Sequence, residues 1–211
     1  MFTLRSFIRA AGIALTAGAA LGFLAPTFET TGGSAGHVAH LVLSAGWSWC
    51  ALAFCVGLAR QSKIESALLA PASLMVAVIA YYATKLERST FLATNLSDPA
   101  QGVQVDAADY VSKIVGWCVA AAFLGCILGL AGNLARLRGL RGLPLRLLIP
   151  VSAAVEMTER LRVEASSQEA VVGATWSAVR LVAVAALVVL VGRAVTDSLH
   201  RRSGRRRENS A

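Results

Sequence analysis

IVGWCVAAAFLGCILGLAGNLA, Ile114 to Ala135, runs for 22 residues without a charged side chain. At 1.5 Å per residue, ~20 apolar residues cross the ~30 Å hydrocarbon layer of a bilayer. Leu41 to Ala59 and Ser66 to Thr84 repeat the pattern, each uncharged over 19 residues. Hydrocarbon offers no partner to backbone amides, so a spanning segment must satisfy them internally, as a helix does. A β-barrel would show short alternating segments instead. Hydrophobic residues make up 56% of the 211 positions and charged residues 15%, where soluble domains carry roughly 25% charge. Mean hydropathy is +0.62. These numbers exclude an ordinary soluble domain and specify an all-α, polytopic transmembrane bundle.

Six spans are expected, over 7–26, 38–59, 64–84, 111–133, 143–162 and 175–195. Pro26 is expected to end the first. The fifth is the least apolar: Pro144 suits its first turn, Pro150 lies inside it, and Glu156, Glu159 and Arg160 occupy its later part. Basic residues set direction, because Lys and Arg in short loops gather on the cytoplasmic side. The N-terminus, the second and fourth loops with the start of the fifth span, and the tail hold fourteen, from Arg5 and Arg9 to Arg205, Arg206 and Arg207. The opposite side holds six: Lys85, Arg88, Lys113, Arg160, Arg162 and Arg180. Both termini are therefore expected in the cytoplasm, N-in and C-in. The first span also has the basic start and small residues of a signal peptide. It is expected to stay, because Ala14, Gly18 and Gly22 form a small-residue face suited to packing on a neighbour. Gly125 and Gly129 repeat that spacing. Either close packing or the trace of an inverted repeat accounts for it.

The net charge of +8 is concentrated at the ends. The basic tail, 196–211, is expected to be disordered and held near anionic lipid headgroups. No recognition fold accompanies it, so nucleic acid is not an expected partner. The arginine-rich, alanine- and glycine-rich composition suggests a high-GC bacterial source, with the bacterial plasma membrane as location. Residues 85–110 form the one substantial outer loop, with Glu87, Asp98, Asp106, Asp109 and a turn signal at Asp98-Pro99. It reads as a solvated connector or a lid. Cys50, Cys55, Cys118 and Cys126 all fall inside spans without ligand spacing, which makes them small apolar packing residues.

Several motifs resemble an uncharacterised family of six-span actinobacterial membrane proteins. They are Trp47 with Ala53-Phe54 and Gly57, Tyr81-Tyr82, Trp117 leading to Gly125, Gly129-Leu130-Ala131-Gly132, and Glu156. The resemblance covers most of 40–160. It implies location and architecture, and no activity.

Ionisable groups inside a membrane usually face a cavity or a partner. Glu156 lies 13 residues after Leu143, and Arg180 lies 13 residues before Arg193, so both sit ~20 Å from the same boundary. Matched depth suggests that they pair. Equally, Arg180 snorkels outward and Glu156 pairs with Arg160 one turn on. Tyr81, Tyr82, Trp117 and Trp176 gather toward the outer depth, where an interfacial aromatic belt is the ordinary reading, preferred for Trp176 and Tyr110. Trp47 and Trp49 fall near mid-bilayer. They fill a helix interface, or floor a pocket whose polar handle is Glu156, a combination suited to an organic cation. His37 and His40 share a helical face, but two histidines without a third ligand do not make a metal site. No HExxH, GxSxG or GxxxxGK[ST] motif occurs. No catalytic residue, metal or cofactor is therefore expected. The expected function is that of a non-enzymatic membrane scaffold or accessory component, with a homo-oligomer or a protein partner as its associates. The alternative is a small-molecule or cation transporter, or a solute-binding component, with an outward pocket near Glu156.

Overall fold

The computed structural model describes residues 4–30, 33–88, 92–94, 103–105, 107–137, 139–163 and 170–208. Helices α1 (Leu4–Thr30), α2 (Ser34–Ser44), α3 (Gly46–Leu58) and α4 (Lys63–Glu87) come first. A small hairpin, β1 (Leu92–Thr94) against β2 (Val103–Val105), precedes α5 (Ala107–Leu134). A 3-10 turn at Gly139–Arg141 leads into α6 (Leu143–Val163) and α7 (Ala170–Glu208).

Among the described residues, α1, α4, α5 and α7 are each long and apolar enough to cross a membrane. The pair α2 and α3 passes the same test jointly, but with a 61° bend between its halves. The span expected over 38–59 is therefore a broken helix. The segment 143–162, expected as a span, is helical as α6, but its charged residues keep it outside that set. Two boundaries also move. Pro26 lies inside α1, which continues to Thr30, and α7 runs to Glu208, past the expected end at 195. The turn signal at Asp98-Pro99, along with Asp106, lies outside the described residues. On either side of it the chain forms the β1–β2 pairing, within the stretch expected as a solvated connector or a lid.

Helix α4 is the centre of the bundle, with α1 on one side and α5 and α3 on the others. In lipid, helices associate through close van der Waals packing, which small residues permit. Gly22 of α1 lies so close to α4 that an added methyl would collide with the Ala77 carbonyl, and Gly18 is pressed against Ser73 in the same way. Ala14 completes the stripe at 4% exposure, and its carbonyl accepts a 2.7 Å bond from the Ser73 hydroxyl. The small-residue face of the first span thus packs as expected. Replacing Ser73 with alanine should cost about 0.5–1.5 kcal/mol, the usual net value of one such bond. Unfolding in mixed micelles checks this, and a stabilised variant would remove the bond from the account.

The second glycine pair, Gly125 and Gly129, packs on Pro71 and Ser66 of α4. The two GxxxG stretches therefore serve the same central helix from different sides, which close packing explains. One end of the bundle gathers the start of α1, the α3–α4 turn and the α5–α6 connection. There Asn133 donates to the Arg60 carbonyl at 2.6 Å, and Arg146 donates to the carbonyls of Ala135 and Leu137, each at 2.8 Å. These bonds occupy carbonyls that a helix end leaves without an intrahelical donor. Helices α6 and α7 pack mainly on each other and join the rest through the α2–α3 break.

Candidate functional site

The break at Ala45 exposes the geometry that matters. Ala45 is extended, with φ −68° and ψ 142°, so it interrupts the ladder that would otherwise join Val42 and Leu43 to the residues after it. Each freed backbone group needs a partner at this depth. The Ser48 hydroxyl donates to the Val42 carbonyl at 2.5 Å, and the Trp49 indole donates to the Leu43 carbonyl at 3.1 Å. On the other half, the N–H groups of Gly46 and Trp47 open α3 and point at Glu156. Gly46 donates to Oε1 at 2.9 Å and Trp47 to Oε2 at 2.8 Å. A carboxylate at a helix N-terminus is favoured both by the bare donors and by the helix dipole.

Glu156 reaches this position from α6 and is held there by Arg160 one turn on, with Nε 3.1 Å from Oε1. The Arg160 guanidinium lies 5.7 Å from the centre of the Trp176 ring. The expected pair of Glu156 with Arg180 is not formed. Arg180 is exposed and belongs to no ion pair among the described residues. The inward stripe of α7 is Val172, Trp176, Val179 and Ala183. Arg180 sits one residue, or ~100°, beyond that stripe. Trp176, expected in the interfacial belt, is instead only 2% exposed and packs with Ala45, Met157 and Val172.

The two mid-span tryptophans part at the break. Trp47 packs toward α6 and α7, and its indole N–H is buried with no hydrogen-bond partner among the described residues. Trp49 turns to the other side and lines a cavity of about 340 Å³ between α3, α4 and α5. Tyr81, Tyr82, Trp117 and Leu124 form much of its wall, with Ser44, Gly46 and Cys50 at the break. The aromatic side is ordered by edge contacts, Trp49 to Tyr81 at 5.8 Å and Tyr81 to Tyr82 at 5.4 Å between ring centres. Such T-shaped pairs match ring edge to ring face. Lys85 places its ammonium 5.2 Å from the Tyr81 ring centre.

Of the expected site residues, Trp49, Tyr81, Tyr82 and Trp117 therefore share one cavity, while Trp47, Glu156 and Arg180 lie outside its lining. Glu156 touches the cavity only through Gly46, to which it is bonded. The polar handle expected for the pocket is thus turned into the end of a helix. His40 bonds the Ala25 carbonyl at 2.8 Å and sits 3.2 Å from the Ser44 hydroxyl, tying α2 to α1. Among the described residues no group of three metal-ligating side chains occurs.

The sequence reading missed Ser44, Gly46 and Cys50 as cavity residues, and the amides of Gly46 and Trp47 as the donors Glu156 serves. The available signal was Ser44-Ala45-Gly46-Trp47-Ser48, small and hydroxyl residues crowded into the middle of an apolar span. Comparison with protein-family models, with curated proteins and with solved structures finds no match to this chain.

Proposed function

We propose that the protein is a non-enzymatic membrane component that holds a hydrocarbon-rich molecule in the cavity beside its broken second span. The observation that carries this reading is the cavity itself, which is walled by Trp49, Tyr81, Tyr82, Trp117 and Leu124. Its volume lies at the lower end of the ~300–1,000 Å³ typical of small-molecule sites, and those sites are mostly apolar with few polar groups. Accessory or scaffolding work fits a bundle in which, among the described residues, no histidine or carboxylate joins Ser44 or Cys50 at the cavity. A second reading, an organic-cation pathway, rests on Lys85, which shows that the Tyr81 face accepts a cation. It is the weaker reading because, among the described residues, no carboxylate lines the cavity.

The finer membrane arrangement belongs to the same proposal. It has six crossings with both ends in the cytoplasm of a bacterial plasma membrane, counting α2–α3 as one crossing and α6 as another. Its support is the placement of Lys and Arg along the chain, and the way α6 settles its charges. Glu156 is bonded to α3 and Arg160, Arg162 pairs with Glu159, and Arg146 caps carbonyls. The resemblance to six-span actinobacterial proteins is part of this reading too. Its motif residues are those used by the break, the cavity and the glycine crossings.

The test uses tryptophan fluorescence of the detergent-purified protein, titrated with a bromododecanol, whose bromine quenches nearby indoles. Saturable quenching is expected in the wild type and should be lost in Ala120→Phe, which fills the cavity from α5. Quenching that rises linearly and equally in both proteins would mean simple partition into the micelle and would reject the site.

A further inference from the structure

The end of the bundle opposite the aromatic cavity carries a second concavity, of about 510 Å³, between the start of α1 and the α3–α4 turn. Its walls are Arg5, Ser6, Arg9, Ala10, Ile13 and Arg60. We infer that this groove is a binding site for the phosphate headgroup of an anionic lipid.

Arg5 and Arg9 stand one turn apart on the same face of α1, where like charges at this spacing repel. Both are exposed, and neither belongs to an ion pair among the described residues. Arg60 faces them from the other wall. Its guanidinium is fixed by Glu65, with Nε 2.6 Å from Oε2, and Glu65 is itself only 6% exposed. Three guanidinium groups and one carboxylate leave the groove two positive charges in excess. A phosphate would relieve the repulsion between Arg5 and Arg9, and guanidinium matches phosphate oxygens with paired donors. Ser6 adds a hydroxyl to the lining.

The choice of a lipid over a free anion rests on what lies deeper. Next to Arg9 and one turn past it on α1, the same groove is walled by Ala10 and by Ile13, which is 73% exposed. The basic end thus leads directly onto an apolar wall, on α1 just before the Ala14, Gly18 and Gly22 stripe that packs on α4. A headgroup seated at Arg5, Arg9 and Arg60 would lay its acyl chain along Ala10 and Ile13. A small soluble anion would leave that wall unused.

The full chain, purified in a neutral detergent, would be titrated with phosphatidylglycerol and with phosphatidylcholine, bound lipid being counted by native mass spectrometry. The wild type should bind phosphatidylglycerol preferentially. The variant R5Q/R9Q should lose that binding by about tenfold or more, the scale of losing two charge-assisted contacts. The variant R205Q/R206Q removes the same charge from the tail and should keep wild-type affinity. R5K/R9K retains charge without the paired donors and should fall between. Equal losses in the groove and tail variants would reduce the effect to net charge and overturn the site. So would displacement of the lipid by millimolar inorganic phosphate, since the acyl wall would then contribute nothing.

Discussion

Replacing Glu156 with alanine should lower stability by about 1.5–3 kcal/mol, the scale of hydrogen bonds to a charged group, because the Glu156–Arg160 pair is half-buried. The carboxylate serves three donors at once, the amides of Gly46 and Trp47 and the Arg160 guanidinium. Each amide left bare away from water adds its own penalty of about 1–3 kcal/mol unless the chain rearranges. Glu156→Gln should be milder. Its amide oxygen still accepts from one N–H, but its NH₂ group faces a second donor and offers nothing to Arg160. The order wild type, Gln, Ala should appear in thermal midpoints measured in detergent. For a chain of this size each kcal/mol moves the midpoint by about 2–4 °C. An alanine variant as stable as the wild type would mean that the break does not depend on Glu156.

The other large effect is expected at the α3–α4–α5 crossing. Gly129 lies against α4 with room for hydrogen alone: a methyl there would stand 2.5 Å from the Ser66 carbonyl oxygen and 2.6 Å from Ala70 Cβ. From the other side Gly57 of α3 presses on the Gly129 carbonyl. Backbone on two sides cannot yield as a flexible side chain does, so Gly129→Leu should cost about 3 kcal/mol or more, the upper range of overpacking. Gly116→Leu supplies the control on the same helix, because nothing lies within 4 Å of its added methyl. That change should be neutral or slightly stabilising, since leucine outranks glycine as a helix former. Equal losses at the two positions would argue against a tight crossing at Gly129.

The long spans were legible because an uncharged run such as Ile114 to Ala135 has one stable form in hydrocarbon. The stripe of Ala14, Gly18 and Gly22 was legible for a similar reason, as small residues at helical spacing have few uses besides close packing. What stayed hidden depended on partners far apart in sequence. Leu41 to Ala59 is as apolar as an unbroken helix requires, and its one local signal, the small and hydroxyl residues of Ser44 to Ser48, does not fix a bend of 61°. The bend rests on a carboxylate from α6, 110 residues after Gly46. Depth arithmetic left Glu156 with two equal partners, Arg180 or Arg160 one turn on, because depth carries no information about which way a side chain faces; the structure forms the second. The same limit applied to Trp47 and Trp49, two residues apart and expected together. The break sends one toward α6 and α7 and the other into the cavity.

That separation in sequence has a consequence for biosynthesis. Ribosomes add about 5–20 residues each second, so roughly 5–20 s elapse between the emergence of Gly46 and that of Glu156. During that interval the amides of Gly46 and Trp47 have no carboxylate to meet. Their lowest-energy arrangement in the nascent chain is an uninterrupted helix, each N–H bonded four residues back. The second span is therefore expected to enter the bilayer straight and to bend only when α6 arrives. Bending then becomes a late maturation step, dependent on the last hairpin of the chain.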